Sequence, residues 1–225
     1  MRLTEQSYDK IFRDLLAEKP NVEYYLQKNR KKIDRRFRET RKAPVWYHEP
    51  LTMPKSGNRY LMYYYAERLA EIRDGSCYYG APLMLEETAM LLRKMSLRIP
   101  DGRGLNCYGL QVYSKHFFDR YRQRMCISDA MSYEDVVATF FGRNGGYFMN
   151  LDYKEMVLER NRWKGNSAWA VEDGVLLSEI LPVGNELMVF QHNTFLSRKN
   201  LKEGQRDEMP LTTEMRDLCL NHFNL

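Results

Sequence analysis

The chain has 225 residues and a mass of 26.9 kDa, enough for one large domain or two small ones whose core needs no disulfide or metal. Apolar residues at 44% and charged residues at 29% exclude disorder throughout the chain. The formal net charge of +5 arises in residues 1–45, where 13 basic side chains face 7 acidic ones, while the remaining residues hold 22 against 23.

Residues 4–18 carry Tyr8, Ile11, Phe12, Leu15 and Leu16 at helical spacing. Pro20 suits a helix start, and Tyr24, Tyr25 and Leu26 follow it. The basic run from Lys28 continues that helix, with Ile33 and Phe37 on a thin apolar stripe. Residues 43–58 hold Pro44, Pro50, Pro54 and Gly57, which predicts a connector and a domain boundary. The expected division is a helical basic arm with connector over 1–57 and an α+β domain over 58–225.

From Arg59 the sequence is Tyr-rich, and residues 59–113 read as several antiparallel strands with a hairpin-type turn at Asp74-Gly75. The stretches Leu69–Glu71 and Glu86–Lys94 also fit helix. Pro100, Gly102 and Gly104 form a turn before a strand over Leu105–Tyr113. Ser114 is an N-cap for a helix over Lys115–Met125. Ser132-Tyr-Glu-Asp135 offers a capping start for a second helix, whose apolar face is Val136, Val137, Phe140 and Phe141 and which Gly142–Gly146 breaks. Trp169–Glu172, Val175–Leu181 and Glu186–Leu196 read as an antiparallel meander, turning at Asp173-Gly174 and Gly184-Asn185. Thr212 or Thr213 starts a short helix through Leu220. The expected fold class is therefore α+β: a helical basic N-terminal arm followed by an antiparallel sheet with two packed helices.

Three features could carry chemistry. His116, Arg120 and Arg124 stand four residues apart on one helical stripe, beside Phe117 and Tyr121. Like charges at that spacing repel unless a phosphate or carboxylate pairs with them, although a solvated basic face is an equally simple reading. The last strand of the meander places Met188, Phe190, His192, Thr194 and Leu196 on one face, and Thr194 and Ser197 could hydrogen-bond a phosphate or ribose. Nine of the 15 residues from Lys28 to Lys42 are Lys or Arg. Of these, Lys28, Arg30, Lys31, Lys32, Arg35, Arg36 and Arg38 are the candidate contacts to RNA phosphates, with a solvated helix face as the alternative. Tyr60, Tyr63, Tyr64 and Tyr65 could stack bases, but strand packing is the commoner use of such a run. Gly142-Arg-Asn-Gly-Gly146 resembles a phosphate loop only loosely, without its Lys-Ser/Thr ending.

The cysteines Cys77, Cys107, Cys126 and Cys219 and the histidines His48, His116, His192 and His222 are scattered, with no CxxC pair. No metal site and no cofactor are expected. Met1-Arg-Leu-Thr-Glu-Gln6 has no apolar leader core, and no apolar run approaches the ~18 residues that span a bilayer. Reduced thiols, no membrane and a cytoplasmic location are the expectation.

Residues 112–200 resemble a toxin-type ribonuclease domain of the barnase, EndoU, colicin and RelE grouping. More narrowly, they look like small bacterial domains that begin with a His-x3-Arg-x3-Arg helix. The matching stretches are Ser114-Lys-His116 with Arg120 and Arg124, then Ser132-Tyr-Glu-Asp-Val-Val137, then the meander ending in Asn193-Thr-Phe-Leu-Ser197. The resemblance implies RNA binding with metal-independent endoribonuclease chemistry, or a catalytically dead relative, and a toxin-like protein can have a neutralising protein partner. In that mechanism His116 acts as general base or acid. Arg120 and Arg124 offset charge developing on the phosphoryl oxygens, and His192 or Thr194 is the second participant. The alternatives are a non-catalytic nucleic-acid or protein interaction module, or a mobile-element accessory protein, in which the His/Arg stripe is structural.

Overall fold

An apolar seam that repeats in steps of three, four and seven residues makes the N-terminal sequence one 36-residue helix, α1 (Glu5–Thr40). The computed structural model describes residues 4–98, 104–144, 149–150, 167–184 and 186–201. Thr4 caps α1 by accepting the Ser7 N–H, and Arg41 closes it in the left-handed region at φ 49°. Pro20 lies inside this helix, not at the start of a second one. It cannot donate to the carbonyl one turn back, a defect that costs about 3 kcal/mol in an isolated helix. The seam offsets that cost, because Tyr8, Phe12 and Leu15 before Pro20 and Val22, Leu26, Ile33 and Phe37 after it are buried in one shared core.

Among the described residues ten strands form one sheet: β1 (Val45–Thr52), β2 (Arg59–Ala66), β3 (Tyr78–Gly80), β4 (Leu83–Leu85), β5 (Thr88–Arg98), β6 (Gly104–Tyr113), β7 (Met149–Asn150), β8 (Ser167–Val171), β9 (Gly174–Val183) and β10 (Leu187–Ser197). Their order is β1-β2-β4-β5-β6-β10-β9-β8-β7, with β3 also pairing β2. The class is α+β, as expected, but the sheet is mixed. β1–β6 and β7–β10 are each antiparallel, and β6 and β10 join them in parallel, His192 standing opposite Tyr113. A parallel pair needs a long crossover. Here it contains α3 (Lys115–Arg124), α4 (Tyr133–Asn144) and β7–β9. A further short helix, α2 (Leu69–Asp74), follows β2 and ends at Gly75, whose φ of 66° makes it a helix cap where the sequence suggested a hairpin turn. Glu86–Lys94 is a turn running into β5, and not helix.

The proline-bearing stretch 43–58 is not a plain connector. Val45–Thr52 pair with β2 along their whole length as an edge strand, and edge placement is what tolerates Pro50. Nor does α1 stand apart as an arm. Its seam packs with Tyr60, Met62, Tyr64, Met90, Leu110, Val112 and Val189 on one sheet face. The Tyr60 hydroxyl donates to Glu18 at 2.6 Å and the Tyr64 hydroxyl to the Leu26 carbonyl at 2.9 Å. The other face carries α3 and α4, with Phe117, Phe118, Tyr121, Phe140 and Phe141 against Tyr63, Tyr113, Phe190 and Phe195. β2 is covered on both faces, which explains its unbroken Tyr-rich run.

The caps expected for α3 and α4 are present. Ser114 accepts from the Phe117 N–H, and Ser132 and Asp135 exchange hydrogen bonds with each other's backbone N–H at 3.1 Å. α4 runs on through Gly142, which is a packing glycine: a Cβ there would lie 2.5 Å from the Tyr65 ring. The helix expected over 212–220 and the turn over 100–103 lie outside the described residues.

Candidate functional site

The basic run of α1 is placed by the seam opposite it. Burying Leu26, Ile33 and Phe37 turns the intervening positions outward, so Lys28, Lys31, Lys32, Arg35, Arg36 and Arg38 are exposed. The cations divide by their surroundings. Arg30 is half-buried, donates to the Gly75 carbonyl at 2.6 Å and lies over the Tyr79 ring at 5.1 Å. Arg36 lies over the Tyr47 ring at 4.8 Å, and Arg38 reaches the Ile72 carbonyl at 3.4 Å. These three tie α1 to β1, β3 and α2. Lys28, Lys31, Lys32 and Arg35 pair with no carboxylate among the described residues. The one acid within the stretch from Lys28 to Arg38, Asp34, is occupied by Arg30 at 3.8 Å and by the Cys77 thiol at 3.1 Å.

The His/Arg stripe of α3 emerges where helical geometry puts it. Phe117, Phe118 and Tyr121 are buried against the sheet, while His116 and Arg120 face solvent and Arg124 is half-buried. Arg120 donates to Gln123 at 3.1 Å. His192 lies on the same side of the sheet but in a different setting. It is 1% exposed, and its ring stacks on Tyr113 with centroids 4.4 Å apart. Nδ1 is 2.6 Å from the Ser178 hydroxyl and Nε2 is 2.5 Å from the Gln111 carboxamide oxygen. Burial, together with the positive charge of Arg93, pushes its pKa down to about 3, so the ring is neutral at ordinary pH. Thr194 is parted from His192 by a bulge. The register slips by one residue at Asn193, so Phe195 joins His192 and Phe190 on the α3 side while Thr194 and Leu196 turn to the other. The structure thus brings His116 and Arg120 together on one exposed surface and leaves His192 and Thr194 in two other environments.

Two polar clusters escaped sequence reasoning. The first centres on Asp173, which the sequence marked only as a turn residue. Arg143 grips its carboxylate at distances of 2.9, 2.9 and 2.5 Å, the Tyr121 hydroxyl donates at 2.6 Å, and the Asn144 amide donates at 2.9 Å. Burial alone would raise the Asp173 pKa, but the guanidinium and these hydrogen bonds outweigh it and hold the pKa below the usual carboxylate value. The loose phosphate-loop match is thereby explained: Arg143 and Asn144 serve an internal carboxylate, and Gly142 admits Tyr65. The second cluster is His48 and Asp135, whose Nε2 and Oδ1 are 2.9 Å apart and tie β1 to the capped start of α4. The partners stand 29–52 residues apart in the first cluster and 87 in the second, so no local spacing signals either.

Among the described residues no group of three His, Cys, Asp or Glu side chains could hold a metal ion, and no helix is long and apolar enough to cross a membrane. The chain matches no protein-family model, and neither curated proteins nor solved structures yield a match.

Proposed function

We propose that this chain binds RNA through the second half of α1. The supporting observation is that Lys28, Lys31, Lys32 and Arg35 are held outward by a buried seam and lack carboxylate partners among the described residues. Such a surface gathers phosphates without reading sequence, because the affinity comes from counterion release. Replacing these four with Gln should weaken binding to mixed RNA and reduce the slope of log K against log salt by roughly one for each phosphate that is no longer neutralised. An unchanged slope would remove the proposal.

Cleavage is a second reading, favoured by the exposed pairing of His116 and Arg120 on α3. His116 would accept the 2′-hydroxyl proton while that oxygen attacks the adjacent phosphorus; the bond to the 5′-oxygen breaks, that oxygen leaves with a proton from solvent, and a 2′,3′-cyclic phosphate remains. The arginines would offset the charge developing on the phosphoryl oxygens. A proton-transfer role for His192 would require it to leave Ser178 or Gln111. Mixed RNA incubated with and without EDTA tests this reading. EDTA-resistant cleavage that falls about 10²-fold or more in His116→Ala would support it, and RNA left intact by the parent protein would refute it.

A further inference from the structure

Two exposed aromatic side chains stand out among the described residues: Tyr24 at 61% and Trp46 at 41%. Tyr24 belongs to α1 and lies one turn before the first residue of the cation run. On a 3.6-residue turn, Tyr24, Lys28, Lys31 and Arg35 fall within about 60° of one another, opposite the buried line of Val22, Leu26, Ile33 and Phe37. They form one outward ridge. At about 1.5 Å per residue it runs for some 16 Å from ring to guanidinium. The Lys28 ammonium is 5.9 Å from the centre of the Tyr24 ring, and Tyr25 packs edge-on against it with centroids 5.5 Å apart. The ammonium thus lies over one face of a ring that is otherwise exposed. The Tyr-rich strand cannot supply such a platform, since Tyr60, Tyr63, Tyr64 and Tyr65 are all buried.

We infer that the ridge Tyr24–Lys28–Lys31–Arg35 is a single-strand-selective RNA site, in which an unpaired base stacks on Tyr24 and the cations follow the adjoining phosphates. This rests on the reading of α1 as an RNA contact and adds the substrate class. An aromatic ring at the end of a cation line distinguishes single strands from duplexes. Phosphates are available in both, but a base face is free to stack only when it is unpaired. Exposure of Tyr24 also carries a cost, because an apolar ring in water forgoes the burial that the seam gives Tyr8 and Phe12.

Fluorescence anisotropy with labelled oligouridine of about twelve nucleotides, and with a blunt RNA duplex of the same length, tests this, using heparin as a polyanion without bases. Tyr24→Ala should weaken oligouridine binding about ten-fold and leave duplex binding, heparin binding and the salt slope unchanged. Tyr24→Phe should keep full affinity, because the ring does the stacking. Trp46→Ala is the control: that residue lies on edge strand β1 and should leave all three ligands unaffected. Equal loss of oligouridine and duplex affinity in Tyr24→Ala would overturn the inference, as would full retention of both. If the parent protein binds no RNA at all, the underlying reading of α1 falls with it. If it binds and Tyr24→Ala is silent, only the stacking site falls.

Discussion

Replacing Asp173 by Ala should be among the most damaging single changes in this protein, although the residue sits in a two-residue turn between β8 and β9. Its carboxylate is where three elements meet: Arg143 and Asn144 come from α4, Tyr121 from α3, and the turn itself from the sheet. Truncation leaves a guanidinium, a phenol and an amide without their shared acceptor. Breaking a buried pair by removing one partner costs about 3–5 kcal/mol. Arg143 is only partly enclosed and keeps Glu67 at 3.8 Å, which moves its share toward the low end. The Tyr121 hydroxyl is fully buried, and the loss of its acceptor adds about 1–3 kcal/mol, toward the low end because Asn144 lies beside it. A total near 4 kcal/mol follows, which for a chain of this size lowers Tm by about 10 °C. Thermal and urea melts of parent, Asp173→Ala, Arg143→Ala and the double variant measure it. The single losses should be non-additive by about 0.5–3 kcal/mol, since both disrupt one pairing. A loss under about 1 kcal/mol for Asp173→Ala, or additive losses, would refute the view of this cluster as the clamp between the helices and the sheet.

Acid should destabilise the protein through His192. Its folded pKa of about 3 lies below the ordinary 6.5, so the unfolded chain takes up the proton first. Stability from this ring is full above pH 6.5 and falls toward pH 3 by about 1.4 kcal/mol per pH unit. His192→Gln should flatten that slope in pH-dependent melts, and an identical slope would rule the residue out. Asp173 acts in the same direction at lower pH: its contribution is present above the usual carboxylate range and is lost as pH falls through its depressed folded value. Gly142→Ala should cost about 1–3 kcal/mol in a urea melt, because its Cβ would meet the Tyr65 ring at 2.5 Å. Limited proteolysis should spare 45–52, since those residues pair with β2, and an early cut inside them would show that β1 is not stably docked.

Much of the local structure could be read directly from the chain. Ser114 and Ser132 announced their helices because a cap is a three-residue interaction, complete within its own segment. The apolar faces of α3 and α4 and the three strands after Ala168 follow from periodicity alone, as does the outward direction of His116 and Arg120. Long-range pairing was beyond that reach. Pro50 looked like a breaker because its effect depends on whether a neighbour needs its N–H, and only sheet order shows that β1 is an edge. Pro20 looked like a boundary because the burial that carries α1 through it comes from β2, β5, β6 and β10, all distant in sequence. The bulge at Asn193 reverses the faces of Thr194 and Leu196 and is defined only by the pairing with β9. His192 shows the division within one residue. Its place on a strand was evident, but its neutrality depends on burial and on the charge of Arg93, and its hydrogen bonds on Ser178 and Gln111, which three other strands bring to it. Short-range sterics and periodicity are written in the sequence, whereas burial and charge are properties of the assembled sheet, where distant residues supply the dielectric and the partners.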